Sequence, residues 1–286
     1  AAAPQETAAR LIIDAMCGRY TLSDTGQLLE EVLLDLDVEA ASVESAARAL
    51  APPAERAAAE APSGLLPFDA PGGSGDEPTA PDAAESLLPT RFNIAPTQSV
   101  PAVRQDEDGG RRLVALRWGL VPFWADDLKI GNRMINARSE TAASKPSFRS
   151  AYKRRRCLLL TDGFYEWKKL DGAKQPIHIH RPGRRPFTFA GLWERWSKGE
   201  AEGQAPVESC TILTTAANDT VSDVHDRMPV ILDGDARLLW LDLSSDPAAL
   251  QELLRPYDGA LELTPVSKLV NSPRNDTPRC LDPVQL

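Results

Sequence analysis

The chain has 286 residues, of which 42% are hydrophobic and 26% are charged, and its formal net charge is −9. These values are ordinary for a water-soluble globular protein with one large core or two modest ones. No apolar run approaches the roughly 18 to 20 residues that cross a bilayer, which excludes a membrane-spanning protein and predicts a cytoplasmic one.

The negative charge is concentrated in one segment. Residues 38–90 hold 9 acidic and 2 basic side chains, whereas residues 91–286 hold 25 acidic and 28 basic ones. A net negative charge argues against a nucleic-acid partner, because phosphate contacts supply most of the sequence-independent affinity. Residues 91–286 are slightly basic, however, and are compatible with such a partner.

The four cysteines are scattered along the chain, without C-x-x-C or Cys/His spacing. This arrangement predicts neither a zinc site nor a disulfide framework. We therefore expect no metal and no cofactor. Cys157 opens the apolar run 157–160 and is predicted to pack inside a strand.

The first distinctive stretch along the chain is 16–20, because Cys17 follows a methionine. If the chain begins at Cys17, this residue carries an α-amine with a reference pKa of about 8 and a thiol near 8.5. Such a pair can form a Schiff base with an aldehyde and then close a thiazolidine ring on the same carbon. A small buried cysteine is the alternative. Residues 1–16 are predicted to be a removable leader or to precede the true start.

Helical spacing of Leu and Val predicts an amphipathic helix within 21–36, capped by Ser23 or Asp24. From about 38 to 90 the composition shifts to Ala, Pro, Glu, Gly and Ser, which predicts a disordered or loosely helical low-complexity insertion. A hairpin is predicted next, with strands at 100–104 and 113–118. Further elements are predicted as strands at 158–160, 176–180, 187–193 and 211–215, and as a helix at 246–254.

Two stretches have both a structural and a nucleic-acid interpretation. Trp124 lies beside Gly and Pro, where an aromatic ring either packs in the core or stacks on a base. The basic run 153–156 forms either a solvated face or a phosphate site.

His178 and His180 share one face of a predicted strand, and without a third ligand at a suitable spacing they predict a half-exposed strand and not a metal site.

Two ionisable residues are candidates for proton transfer. Glu166 is flanked by aromatic residues, which would desolvate its carboxylate, raise its pKa and suit it to moving protons. A strand-end glutamate paired with Lys168 or Lys169 is the alternative. His225 is the other candidate, because imidazole titrates near neutral pH.

Six motifs occur in order along the chain: Cys17–Tyr20, Phe92–Thr97, Arg117–Pro122, Asn136–Thr141, Asp162–Trp167 and Val224–Pro229. Together they resemble those of the SRAP family, the SOS response-associated peptidase-like proteins that shield abasic sites in single-stranded DNA. The resemblance covers 17–36 and 91 to about 275. It implies an α+β fold: a single domain at 17–286, interrupted by the insertion at about 38–90, with a curved, barrel-like antiparallel sheet, flanking helices and a positively charged cleft.

The resemblance also implies roles for individual residues. The amine and thiol of Cys17 would form a thiazolidine with the ring-opened abasic sugar, and Asn136 would hydrogen-bond this cross-link. Glu166 would move protons, and His225 would assist ring opening or hold the lesion oxygen. The residues expected to contact DNA are Gly18, Arg19, Asn93, Pro96, Trp124, Arg138, Trp167, Thr214 and Arg227. The expected partner is single-stranded DNA with abasic sites, with Trp124 near a duplex junction, and the expected protein is a monomer, nucleoid-associated if bacterial.

Two other functions stay open at this point. One is a cysteine peptidase that uses Cys17, Glu166 and His225, with self-processing as its main reaction. The other is a non-catalytic module that binds single-stranded DNA through Trp124, Arg138 and the run 153–156. The same Schiff base would also give the leading hypothesis a β-lyase activity.

Overall fold

A computed structural model describes residues 18–52, 88–203 and 205–286 of the chain. Cys17, the predicted leader at 1–16 and most of the predicted insertion lie outside the described residues. Among the described residues, the helices are all too short or too polar to span a bilayer.

Strands dominate the described residues. They are β1 (Arg19–Leu22), β2 (Arg91–Ile94), β3 (Ser99–Gln105), β4 (Arg111–Trp118), β5 (Asn136–Arg138), β6 (Arg156–Thr161), β7 (Gly163–Leu170), β8 (Ala173–His180), β9 (Phe187–Trp196), β10 (Val207–Ala216), β11 (Arg227–Pro229), β12 (Ile231–Leu232) and β13 (Glu262–Pro265).

The helices are short. They are α1 (Thr25–Leu28), which continues as a π-helical segment at Leu29–Leu33, α2 (Ala40–Leu50), α3 (Ser139–Ala142), α4 (Arg149–Arg154), α5 (Asp219–Ser222), α6 (Asp235–Leu241) and α7 (Pro247–Leu253). The 3-10 helices are at Leu128–Arg133, Pro182–Arg184, Lys198–Glu202, Lys268–Asn271 and Pro278–Leu281.

Five strands close a barrel in the order β10, β4, β3, β6 and β9, with β9 pairing back onto β10. This confirms the α+β class and the barrel-like sheet, which is mixed and not antiparallel at every junction. Strand directions cannot alternate all the way around a ring with an odd number of members. One junction must therefore be parallel, and it is the one between β10 and β4, where Cys210 lies opposite Trp118.

A second sheet packs against the barrel, in the order β13, β8, β7, β1 and β2. Aromatic rings join the two sheets: Tyr20 of β1 and Phe164 of β7 each contact Phe189 of β9 edge to face, with ring centroids 5.9 Å apart. These rings are fully buried. The main core therefore lies inside the barrel and between the two sheets, and it fixes β1 relative to the barrel.

Two predictions near the start of the described chain need correction. The helix predicted within 21–36 is reduced to α1 and the π-helical segment, because 19–22 pairs with β7 and β2. Asp24 is the cap, since its carboxylate accepts the N–H of Gln27 at 2.9 Å. The first residues of the predicted insertion are also ordered: α2 packs against β3 and β4 through Val43, Ala46 and Leu50, whose spacing gives it one apolar face.

The hairpin is confirmed by the pairing of β3 with β4, and the other predicted strands and the helix at 246–254 are present. The strand with two histidines was predicted to be half-exposed, and this prediction is wrong. His178 and Ile179 are fully buried, because β8 lies between β7 and β13 and the 3-10 helix Lys268–Asn271 packs on it. The prediction failed because alternation within one strand does not reveal what covers its polar face.

The buried ring of His178 makes stability sensitive to acid. Its Nε2 lies 3.1 Å from the hydroxyl of Thr21, and Nδ1 has no hydrogen-bond partner among the described residues. Desolvation, followed by the charges of His180 and Arg184, lowers the pKa of His178 well below 6.5. Below pH 6.5 the unfolded chain binds a proton that the folded chain excludes, so the free energy of unfolding falls as pH falls.

We expect the wild-type protein to lose about 1.4 kcal/mol of stability from this one group between pH 7.5 and 5.5. Urea denaturation of the wild type and of His178→Gln at both pH values measures this effect as the difference between their two pH-dependent losses. Carboxylates titrate in both proteins and cancel. Equal losses in the two proteins would show that His178 is not the acid-sensitive group.

Candidate functional site

Several of the predicted site residues meet where β10 changes its partners. The first half of β10 pairs with β9 and β4, whereas the second half pairs with β5 on one edge and β11 on the other. Thr214 lies opposite Arg138 of β5, and Ala216 lies opposite Arg227 of β11. These pairings bring together what we call the polar cluster: Arg138, Glu140, Thr214, His225 and Arg227.

Within the polar cluster, Arg227 makes the strongest contacts. Its guanidinium binds both carboxylate oxygens of Glu140, at 3.0 and 2.9 Å, and donates to the carbonyl of Thr214 at 2.7 Å. The hydrogen bond from Arg227 is the main cause that lowers the pKa of Glu140. Arg138 is exposed, and no described residue accepts a hydrogen bond from its guanidinium, so this cation is available to an anionic ligand.

His225 is oriented by its own loop. Its Nδ1 lies 3.1 Å from the backbone N–H of Arg227 and 2.9 Å from a carboxylate oxygen of Asp226. Nδ1 cannot accept from the first and donate to the second at once. Because the Asp226 side chain is 88% exposed, the backbone contact is the more firmly held. It puts the proton of the neutral ring on Nε2, where a ligand oxygen can accept it.

Asn136 is tied to the second sheet through two aromatic rings. It lies opposite Ile212 of β10, and the carbonyl of the preceding residue, Ile135, accepts the indole N–H of Trp118 at 2.9 Å. The Trp118 ring in turn contacts Tyr20 of β1, with centroids 5.2 Å apart. The start of β5 and the strand β1 are thus held close to each other.

Glu166 lies in the middle of β7 and is 3% exposed, which contradicts the alternative of a strand-end glutamate. It shares a face with Phe164, since side chains alternate along a strand, and Phe164 points at the barrel. Gly18, which precedes β1, is buried as well. Cys17, the residue before Gly18 in the sequence, lies outside the described residues.

Arg19 and Asn93 were expected to contact DNA. In the structure their side chains instead form a buried hydrogen-bond network. Arg19 donates to the side-chain oxygen of Asn93 at 3.0 Å and to the carbonyl of Val270 at 2.6 Å. The amide nitrogen of Asn93 donates to the carbonyls of Val270, Ser272 and Asn275. Both side chains are fully buried, and burial lowers the pKa of Arg19 to about 10. Neither side chain has a surface left for a phosphate.

Two further predicted contacts are also buried. Pro96 is buried, and Trp167 packs in a small cluster with Val266, Val270 and Leu281 while its indole N–H donates to the Asn271 side chain at 2.8 Å. Trp124, by contrast, is 42% exposed beside Phe123, which is 55% exposed. Of the predicted aromatic contacts, Trp124 is the one with a ring face open to a base.

The basic run 153–156 does not form one phosphate site. Arg156 is buried, and its guanidinium donates to backbone carbonyls, including those of Trp240 and Asp242. Arg155 pairs with buried Glu194 at 2.6 Å. Only Lys153 and Arg154 remain exposed. Two of the four charges are therefore structural, which pattern alone cannot show.

The structure adds residues that sequence reasoning missed. Glu140 belongs to a predicted motif but received no role, and Asp276 accepts the backbone N–H groups of Phe92 and Asn93. Asp276 also pairs with Arg91. The sequence could have pointed to Glu140, because its carboxylate follows Arg138 by two residues. It could not have pointed to Asp276, because the partners of Asp276 are about 180 residues away in sequence. Among the described residues, no group of three or more His, Cys, Asp or Glu is placed to hold a metal.

Comparisons with known proteins agree with the order of the motifs. The family model described as SOS response associated peptidase (SRAP) matches residues 16–273. The chain is 46% identical over 194 residues to the abasic site processing protein YoqW of Bacillus subtilis, which covers 67% of this chain and 85% of that protein. It is 38% identical over 226 residues to the abasic site processing protein HMCES of Gallus gallus, covering 68% and 66%.

Solved structures show the same fold. A crystal structure of a protein from Bacteroides thetaiotaomicron matches with a TM-score of 0.61 at 25% identity, covering 68% of this chain and 85% of that one. A phage-related protein from Bordetella bronchiseptica matches with a TM-score of 0.50 at 30% identity, covering 63% and 83%. This protein has a mixed five-stranded barrel with a polar cluster at one of its strand ends. It belongs to the SRAP family.

Proposed function

We propose that this protein senses abasic sites in single-stranded DNA and captures them covalently through Cys17. The observation that carries the proposal is the 46% identity to a relative named an abasic site processing protein, over an alignment that spans most of that relative. The polar cluster supports it with an exposed arginine on β5, a second arginine on β11 and an oriented histidine in the loop before β11. Cations in this arrangement suit a phosphate backbone.

The capture step follows from the chemistry of a 1,2-aminothiol. The α-amine of Cys17 attacks the aldehyde of the ring-opened sugar, and loss of one water gives a Schiff base. The thiol then adds across the C=N bond, so that a C–S bond forms and the thiol proton goes to nitrogen. The product is a thiazolidine, and no oxidant or cofactor enters the balance. An amide nitrogen cannot take part, so we infer that residues 1–16 are removed first, by self-cleavage or by another peptidase.

The remaining residues would assist this step. Glu166, buried on the barrel-facing side of β7, would take the proton from the amine and return it as water leaves. His225, with the proton on Nε2, would protonate the ring oxygen as the sugar opens. Asn136 would hydrogen-bond the cross-link. β-Elimination from the same Schiff base would give a lyase activity that competes with ring closure.

The strand would be recognised through charge and stacking. Arg138 would bind a phosphate, and the exposed pair Phe123 and Trp124 would stack on a base at a junction with duplex DNA. Contacts of this kind hold both intact and damaged strands, so the covalent step would provide the selectivity. We propose that the protein acts as a monomer, inside the cell, where the DNA is.

Intact-mass spectrometry tests the proposal directly. Protein that begins at Cys17 is incubated with a single-stranded oligonucleotide bearing one abasic site, and with the same oligonucleotide bearing a normal base there. We expect a heat-stable mass increase equal to the strand minus one water with the first and none with the second. The absence of an adduct with the abasic strand would reject covalent capture and favour the non-covalent module.

The full chain provides the matched control for the leader. While residues 1–16 remain attached, we expect no thiazolidine adduct, because the nitrogen of Cys17 is an amide. Spontaneous appearance of a mass that begins at Cys17, lost in Cys17→Ala, would favour self-cleavage. A stable adduct on the full chain without cleavage would contradict the role of the amine.

A further inference from the structure

Arg227, one of the residues expected to bind phosphate, is already occupied by a carboxylate of the same protein. Its two terminal nitrogens donate to the two oxygens of Glu140, and one of them also donates to the carbonyl of Thr214. Its Nε lies 3.4 Å from the hydroxyl of Thr214. A guanidinium has five N–H donors in a fixed fork. Most of the donors of Arg227 are therefore engaged within the protein.

Glu140 lies on the solvent side of this pair. Its side chain is 50% exposed, whereas that of Arg227 is 15% exposed, so the carboxylate covers the guanidinium from outside. The pKa of Glu140 is lowered, mainly by the hydrogen bond from Arg227. Glu140 is thus ionised at neutral pH. A ligand that approaches Arg227 from solvent meets a negative charge first.

A DNA phosphate would compete for the same position. A phosphodiester presents two unesterified oxygens, and a guanidinium fork binds them in the same bidentate manner as it binds a carboxylate. We propose that Glu140 occupies the phosphate position of Arg227 in the DNA-free protein and that a backbone phosphate must displace it. This inference rests on the proposed function, and it adds Glu140 as a residue that sets the affinity for the strand.

The exchange has a physical consequence for intact DNA. The displaced carboxylate stays attached to α3, beside Arg138 and the incoming phosphate, and repels the strand. The repulsion weakens every non-covalent complex, including those with undamaged DNA. Only a strand whose aldehyde reacts would be retained for long. Glu140 would in this way make covalent capture, and not electrostatic affinity, decide which strands stay bound.

Fluorescence anisotropy with a labelled single-stranded oligonucleotide that has no abasic site tests the inference apart from the chemistry. We expect Glu140→Gln, and likewise Glu140→Ala, to bind about three- to tenfold tighter than wild type near 100 mM salt, since one repulsive charge is removed. The plot of log affinity against log salt should steepen by about one. Circular dichroism melting should show that both variants stay folded.

Glu208→Gln is the matched control. Glu208 also pairs with an arginine, Arg104, at 2.9 Å and also lies at the barrel surface, so the change in net charge is the same. It is six residues before Thr214 on β10, about 20 Å along an extended strand, which exceeds the Debye length at this salt. We expect its affinity to stay within about twofold of wild type.

The outcomes separate the inference from the proposed function. If wild type binds the oligonucleotide and the two Glu140 variants bind it equally or more weakly, Glu140 only orients Arg227 and the inference is wrong. If Glu208→Gln tightens binding as much, the effect is one of net charge and the inference is also wrong. If none of the proteins binds single-stranded DNA, the proposed function fails with it.

Discussion

Replacing Cys17 with alanine, in protein that begins at residue 17, is expected to reduce the heat-stable DNA adduct at least 100-fold, to the level of a strand without an abasic site. The variant keeps an α-amine and can form a Schiff base, but without the thiol it cannot close the thiazolidine, and the imine hydrolyses on heating. Denaturing gel electrophoresis after heating measures the adduct. Adding borohydride should trap the imine of the variant and restore a covalent band.

The non-covalent affinity for DNA should be unchanged in the Cys17→Ala variant. A thiol contributes no charge to phosphate binding, so affinity for intact single-stranded DNA and its salt dependence should match wild type. Cys157→Ala is the control for loss of a thiol, because Cys157 is buried in β6 and burial raises the pKa of its thiol. That control should cross-link at the wild-type rate. A heat-stable adduct on Cys17→Ala without borohydride would refute the proposed chemistry.

Local patterns predicted most of the elements and part of the topology. The β3–β4 hairpin was predictable because two apolar strands flank a short polar turn, and both partners are adjacent in sequence. The parallel closure of β10 onto β4 was not, because it joins Cys210 to Trp118 across more than 90 residues and depends on the number of strands in the ring. The packing of α2 was not predictable for a similar reason, because its apolar face contacts β4, which begins only at Arg111.

For the site, the sequence predicted which residues lie close together better than it predicted which of them are buried. His225 and Arg227 lie in one cluster with Arg138, because β11 and β5 both pair with the second half of β10. Arg19 and Asn93 belong to other motifs of the same set, but their side chains are buried. Motif membership cannot distinguish the two cases, because the sequence does not show whether an arginine is buried and bound to carbonyls or exposed and free to bind phosphate. Only burial and hydrogen-bond partners separate them.

The network around Asn93 links the site to the C-terminal segment. Asn93 bridges β2 and Arg19 of β1 to the carbonyls of Val270, Ser272 and Asn275. Asp276 closes the same loop onto the backbone of β2. The segment 270–276 thereby fixes the strand that Gly18 enters. We expect loss of this hydrogen-bond network to displace the N-terminal end of β1, which Gly18 enters, without removing any contact to DNA.

Asn93→Ala should therefore lower the free energy of unfolding by about 2 to 4 kcal/mol, because it removes one buried acceptor of the Arg19 guanidinium and the side-chain donor of three backbone carbonyls. Urea denaturation measures the loss, and Asn132→Ala, which removes an exposed side-chain contact to Arg117, should stay within about 0.5 kcal/mol of wild type. Under conditions where the Asn93 variant remains folded, its cross-linking should slow while its affinity for intact single-stranded DNA stays unchanged, since no DNA contact is lost. An unchanged stability with weaker binding to intact single-stranded DNA would instead make Asn93 a DNA-contacting residue, as its motif alone suggested.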